Sequence, residues 1–331
     1  MTQAIPIRVM RYGNANKAQW DEFVARSKNG TFLFFRDYMD YHRDRFSDHS
    51  LIATDENSRI VALLPANLRE TTLVSHGGLT YGGWIVDERM KTPLMLRVFD
   101  AALSFCREQG LSEIRYKALP HIYARLPAQE DLYALYLCDA YVSERSVMTV
   151  ISAHDRIPLP KGRRYSVNKA RKSGLRVCRA DGDLPAYWDM LGQTLAERHQ
   201  ARPVHTLAEI ELLHSRFPQN IQLYTCYDGT MLIAGVLVFE SACVARTQYI
   251  AVNERGRELC ALDLVCDHLL NEVFVSKPYF DFGTSHDPTT AAINGGLIEQ
   301  KESFGGRAVA QDVYRIDLQH WNPQRIRQAV E

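Results

Sequence analysis

Apolar positions along the chain alternate between a helical and a strand period, and each change of period marks an element. Trp20, Phe23 and Val24 recur at helical spacing within 18–27, and Asn29-Gly30 ends that run. A second helix is expected over 36–46, with Tyr38, Tyr41, His42 and Phe46 on overlapping faces. Period-two alternation then fills 50–54 and 60–68, around the polar turn Asp55-Glu56-Asn57-Ser58, which predicts a hairpin. A strand over 71–76 enters a glycine-rich segment, 77–83. Residues 94–109 return to the helical period and stop at Gly110, a C-cap position, before a strand over 111–117.

The same order recurs further on. Strands are expected at 221–227 and 231–239 around Asp228-Gly229, then a strand at 242–252 and a polar loop at 253–258. A helix at 259–275 and a strand at 279–282 complete the series. The spans 51–111 and 221–279 are nearly equal, so the pattern predicts a repeated α/β unit, although no strict sequence repeat accompanies it. The division expected is 1–155 and 156–331, with the helical stretch 163–217 in the second unit. Two unrelated α/β units are the alternative that pattern alone leaves open.

Composition narrows the class. The 331 residues are 46% apolar and 24% charged, enough for a large core, which excludes a disordered or fibrous chain. Lys plus Arg equals Asp plus Glu at 39 each, so overall charge makes no case for a nucleic-acid coat protein. Seven cysteines with no close pair read as the reduced thiols of a cytosolic protein. The first ten residues lack the apolar core of a secretory signal, and no run reaches the ~18 apolar residues of a membrane span. A soluble, cytoplasmic protein is expected. No CxxC or HxxxH points to a metal, and no Gly-x-Ser-x-Gly to a hydrolase elbow.

A crossover from strand through helix to a parallel strand places a helix N-terminus beside a strand end, where unpaired N–H groups favour anions. The segment 253–262 is such a place. It offers Arg255, Gly256, Arg257, Cys260 and Ala261 as a candidate phosphate or pyrophosphate site, or, more plainly, a solvated loop. Asp281 alternates with Phe280 and Phe282 on a strand expected to be buried. A carboxylate there is costly unless paired or functional, so it is either a base or half of a structural ion pair. His286 follows in the loop after that strand, where α/β sites gather. Residues 161–176 carry seven basic side chains and no acid, with Arg164, Asn168 and Arg171 on one helical face. Such a face suits the phosphates of a nucleotide-sugar, a tRNA or CoA, or is simply solvated.

The order of strand, glycine- or arginine-bearing loop, helix and strand resembles the acyl-CoA-binding core of GNAT acyltransferases. Two such units in tandem resemble the FemAB-like group. Tyr279-Phe280-Asp281-Phe282-Gly283-Thr284-Ser285, followed by Leu297 and Lys301-Glu302-Ser303-Phe304-Gly305-Gly306, is similar to the strand–helix ending of that group. Gly77-Gly78-Leu79-Thr80-Tyr81-Gly82-Gly83, Lys117-Ala118-Leu119-Pro120-His121-Ile122-Tyr123 and Pro203-Val204-His205 resemble its bacterial GNAT N-acetyltransferase branch. The resemblance covers nearly the whole chain and implies an α/β fold of two tandem GNAT-like units, each a mixed sheet flanked by helices.

It also implies an N-acyltransferase that uses acyl-CoA as co-substrate, without a metal. The acceptor would be an amine on an amino sugar or an envelope precursor. Asp281, His286 and Lys301 are then the catalytic candidates, with Lys301 stabilising the transferring group; otherwise Lys301 is a solvated lysine on a helix over 294–304. Tyr81, Lys117, His121, Tyr123 and His205 are candidate acceptor contacts. Turn chemistry around Tyr81 and a Thr206–Glu209 capping box beside His205 are the structural alternatives. Two further readings stand beside this one. The first is a Fem-type aminoacyltransferase using aminoacyl-tRNA and a peptidoglycan precursor, though no segment shows the sustained heptads of a coiled-coil arm. The second is a non-catalytic binding protein on the same fold.

Overall fold

The computed structural model describes residues 6–199, 201–287 and 290–330, without the side chains of 198 and 199. The chain forms two compact α/β units. The first comprises Met1–Ser146 and Ala310–Glu331, the second Val147–Val309. This differs from the division expected after residue 155, in which the C-terminal tail belongs to the second unit. The tail lies in the first because Val313–Asp317 pairs antiparallel with Glu113–Lys117.

In the first unit, Leu51–Thr54 and Ile60–Leu64 form the expected hairpin. The expected strand 60–68 is two strands, Ile60–Leu64 and Asn67–Arg69, because Pro65 between them has no N–H to give a ladder. Asn67–Arg69 pairs with Thr72–Val74. The helix Thr92–Glu108 then crosses over, with a proline in its first turn and Met95, Leu96, Phe99, Ala102, Leu103 and Cys106 buried at helical spacing. It delivers the chain to Glu113–Lys117, which runs parallel to Thr72–Val74 over three residue pairs. The helix expected over 36–46 stops at Met39 and continues as a 3₁₀ turn. There His42 Nδ1 is hydrogen-bonded to the Met39 carbonyl at 2.8 Å.

The second unit repeats the plan. Its strands lie in the order Arg176–Arg179, Ile221–Asp228, Met231–Glu240, Val244–Val252, Tyr279–Thr284, then the end of Tyr141–Ser152. All neighbours are antiparallel except Val244–Val252 and Tyr279–Thr284. The helix expected over 259–275 is broken: Glu254–Glu258, Ala261–His268, then a π turn at Leu269–Val273. It begins early because Asn253 caps it, accepting the Gly256 N–H on Oδ1 at 2.8 Å. It breaks at Cys260, which is left-handed at φ +58. One sheet face presents Ala234, Val236, Val238 and Ala245 to the helix Ala261–His268. Among the described residues, no helix is long and apolar enough to cross a membrane.

Candidate active site

The parallel pair of the second unit separates almost at once. Val244, Ala245 and Arg246 pair with Tyr279, Phe280 and Asp281, and beyond them no pairing between these strands continues to Val252 or Thr284. Two irregularities accompany the opening. On one side the register to Met231–Glu240 slips between Leu237/Tyr249 and Val238/Thr247, so Gln248 is a bulge residue. On the other, the register to Tyr141–Ser152 shifts after Asp281, at Gly283, whose φ is +71. A cavity of about 180 Å³ occupies the opening. Ile250, Val252 and Arg257 form one wall, Phe282 another, and Leu262 and Cys266 of Ala261–His268 a third. Leu297, Gln300, Lys301 and Phe304 come from the helix Gly295–Glu302 and its end, and Thr194 from Leu184–His199.

Lys301 is 5% exposed, not a solvated helical lysine. Its Nζ donates to the carbonyl oxygens of Thr284 at 2.6 Å and Gly283 at 3.3 Å, so it caps the end of the separated strand. Burial lowers its pKa to about 8, against the raising influence of Asp281. Asp281 is fully buried. Its Oδ2 meets Arg246 Nη1 at 2.5 Å, and its Oδ1 accepts the Gly283 N–H at 2.6 Å. The expectation of proton transfer by Asp281 changes accordingly: both oxygens are held, one by a cation and one by the backbone. Asp281 and Lys301 converge on Gly283 from its two sides. His286 lies beyond them and forms an isolated antiparallel bridge with Ile293.

The candidate phosphate loop divides by role. Arg257 reaches back to the Val252 carbonyl at 2.7 Å and stands at the cavity wall. Arg255 points away, paired with Asp228 at 2.9 Å. Gly256 is buried where a Cβ would sit 2.2 Å from the Ile233 carbonyl oxygen, so only glycine lets the loop pack down. Cys260 makes the turn, and Ala261 opens the helix behind the cavity.

The basic stretch does not act as one face. Arg163 is paired with Asp263 and donates to Ser303 Oγ at 2.5 Å, and Arg171 meets Asp267 at 2.5 Å. These arginines clamp the helix Lys161–Lys172 to Ala261–His268, so Arg171 does not join Arg164 and Asn168. Lys161, Arg164, Asn168 and Lys172 remain exposed, around a Tyr165 that is 70% exposed.

The acceptor candidates are dispersed. Tyr81 and Tyr123 are buried in the first unit with ring centroids 4.3 Å apart, and the Tyr81 hydroxyl donates to Thr31 Oγ1 at 3.2 Å. Lys117 donates to the Leu79 carbonyl at 2.5 Å, while His121 is exposed. His205 belongs to the second unit, where its Nδ1 lies 2.7 Å from Tyr249 Oη. Arg246, Gln248 and Tyr249 were missed from sequence. A signal was present: Arg246-Thr247-Gln248-Tyr249 puts four polar-capable residues in the middle of a strand bounded by Val244-Ala245 and Ile250-Ala251-Val252.

Residues 161–289 match the family model described as an acetyltransferase (GNAT) domain. Comparison with curated proteins gives no match. Among solved structures, FemX superposes with a TM-score of 0.68 at 11% identity, over 97% of this chain and 99% of that one. The C-terminal domain of a putative lysylphosphatidylglycerol synthetase from Agrobacterium fabrum gives 0.58 at 9% identity, over 96% of each. A tandem GNAT protein from the clavulanic acid biosynthesis pathway gives 0.50 at 12%, over 94% and 98%. At these identities the likeness is one of fold.

Proposed function

We propose that this chain, which matches a GNAT acetyltransferase domain over residues 161–289 and shares the fold of FemX and of a tandem GNAT protein, is an N-acyltransferase that takes its acyl group from acyl-CoA. The acceptor in this reading is an amine on a small molecule or an envelope precursor, such as an amino sugar. The observation that carries it is the opening between Val244–Val252 and Tyr279–Thr284, with a cavity inside it and a buried lysine at its wall. A strand edge released from its partner offers N–H and C=O groups to an extended, amide-bearing donor arm. The start of Ala261–His268, with Arg257 beside it, suits the donor's diphosphate.

Transfer requires a neutral amine, a polarised thioester carbonyl and a place for charge to develop on its oxygen. The bulge at Gln248 turns backbone out of the ladder beside the opening. Lys301 has two of its three N–H groups on carbonyls and one left for the oxygen of the transferring group. The Arg246–Asp281 pair holds the strand end to which Lys301 is anchored. Asp281 therefore acts here as a positioning residue.

Thermal stability against acetyl-CoA, longer acyl-CoA esters, CoA, UDP-sugars and uncharged tRNA tests this reading. A ligand at ~100 times its Kd adds ~2.7 kcal/mol. A raised Tm with CoA species supports the donor assignment, and no shift with any of them overturns it. One observation favours a second reading, a Fem-type transfer from aminoacyl-tRNA: the exposed outer face of Lys161–Lys172 with Tyr165 among its bases. A shift with tRNA that fades steeply with salt, and none with CoA, would select it.

A further inference from the structure

We infer that Tyr249 and His205 form the proton-transfer pair of the second unit, an assignment that rests on the N-acyltransferase reading. The strand register separates two faces at the bulge. Ile250 and Val252 lie opposite Val236 and Ala234, on the face that packs against Ala261–His268 and lines the cavity. Tyr249 lies opposite Leu237, on the other face, with its ring edge-on to Trp188 of Leu184–His199 at 5.2 Å. Thr194, on that same helix, also lines the cavity. The helix that packs on Tyr249 through Trp188 thus also borders the cavity through Thr194, and Tyr249 stands one residue past the bulge. A donor arm on one face and an amine on the other would meet at this point.

The pair is built for a proton. Tyr249 Oη accepts the His205 backbone N–H at 3.3 Å, and its own O–H is assigned to His205 Nδ1 at 2.7 Å. His205 is 7% exposed. Its loop is set by the cap that follows, in which Glu209 N–H donates to Thr206 Oγ1 and Thr206 N–H to Glu209 Oε2. Burial raises the Tyr249 pKa, so the group present is the phenol. Core packing alone does not call for this arrangement, since two apolar side chains would fill the space without desolvating a phenol and an imidazole.

The acceptor arrives as an ammonium. One proton passes from its nitrogen to Tyr249 Oη while the phenol's own proton passes to His205 Nδ1, leaving a neutral amine and an imidazolium. The nitrogen lone pair attacks the thioester carbon. The C–N bond forms and the C–S bond breaks, and sulfur leaves with the bonding electrons. It takes up the second proton that the nitrogen sheds, giving amide and free thiol, and His205 returns its proton to water.

The test follows thiol release from acetyl-CoA with ethanolamine and glucosamine, which arrive as ammonium ions, and with hydroxylamine, which is already neutral and needs no base. Wild type, Tyr249→Phe and His205→Gln are compared, with CoA affinity measured separately by calorimetry. The proposal expects Tyr249→Phe to lower kcat for the ammonium acceptors about 100-fold while hydroxylamine transfer changes less than about threefold. KM for acetyl-CoA and CoA affinity stay as in wild type. His205→Gln shows the same selectivity, and the double variant is no worse than Tyr249→Phe. Equal loss with all acceptors, or none with any, overturns the pair while leaving the reading in place. Wild type that binds CoA yet releases no thiol with any of the three overturns the transferase reading, and the pair with it.

Discussion

In the first unit the parallel strands Thr72–Val74 and Glu113–Lys117 stay paired over three residues, and the chain then fills the opening itself. Ser75 N–H donates to the Arg115 carbonyl at 2.9 Å, Lys117 N–H to Ser75 Oγ at 2.6 Å, and Gly82 N–H to the Lys117 carbonyl at 3.2 Å. In the second unit the equivalent pair also holds for three residues, and the opening contains a cavity. Each opening has a lysine that donates to backbone carbonyls, the half-buried Lys117 to Leu79 and the buried Lys301 to Thr284. In the proposed reading the same supersecondary unit serves as scaffold where the chain satisfies its own backbone, and as a site where it leaves that to a ligand.

The largest contrast is expected at the third residue pair. Arg246 neutralises a fully buried Asp281, so Arg246→Ala removes the cation bonded to a buried carboxylate and should cost about 3–5 kcal/mol in denaturant unfolding. Adding Asp281→Leu should restore most of that loss. In the third pair of the first unit Val74 takes the place of Arg246 and Arg115 that of Asp281, and Arg115 pairs with a half-exposed Glu144 at 2.6 Å. Arg115→Ala should therefore cost no more than about 1 kcal/mol. Comparable losses at the two sites would mean that the openings are equivalent in energy and that the contrast is one of shape alone.

Next come the glycines that let backbone approach backbone. A Cβ on Gly256 would meet the Ile233 carbonyl oxygen at 2.2 Å, and one on Gly82 the Ser75 carbonyl oxygen at 2.3 Å. Gly256→Ala and Gly82→Ala should each destabilise by about 1–3 kcal/mol. Only Gly256→Ala should also weaken acetyl-CoA binding by calorimetry, by about tenfold or more, because it moves the loop that carries Arg257.

The two lysines sharpen the comparison through pH. Burial lowers both pKa values to about 8 from 10.5. Between those values the unfolded chain binds more protons than the folded one, so stability should rise as pH climbs from about 8 towards 10.5. Lys117→Met and Lys301→Met should each flatten that rise in a thermal series. Acyl transfer should separate them. Wild-type activity should fall above about pH 8 as the Lys301 ammonium is lost, and Lys301→Met should lower kcat at pH 7 by about 100-fold. Lys117→Met should leave kcat nearly unchanged.

Much of this was legible in the residues. The repeated order of elements and the hairpin around Asp55-Glu56-Asn57-Ser58 follow from period and turn chemistry, which are local. Pro65 shows a local signal overlooked, since it splits a strand that the alternation alone made continuous. What was not legible depends on partners distant in sequence. Asp281 read as a possible base because its alternation with Phe280 and Phe282 says that it is buried, not that Arg246 lies opposite. Lys301 read as either a catalytic or a solvated lysine because a helical period does not say which face a sheet end will cover. The Gln248 bulge is a mismatch between two strands, so neither strand's own pattern contains it.

The smallest effect tests whether His205 is held in place from outside the opening. Thr206 caps Leu207–Arg216 through a reciprocal pair with Glu209, and His205 is the residue just before that cap. Thr206→Ala removes one of the two cap bonds and should cost about 0.5–2 kcal/mol, an ordinary loss for an N-cap. It touches neither cavity wall nor donor loop, so acetyl-CoA affinity should be unchanged. If the cap only stabilises a helix, transfer to ethanolamine measured well below Tm should be unchanged as well. If it also sets the loop that brings His205 Nδ1 to Tyr249, that transfer should fall severalfold while hydroxylamine transfer does not, since a small displacement lengthens a 2.7 Å contact between loop and strand.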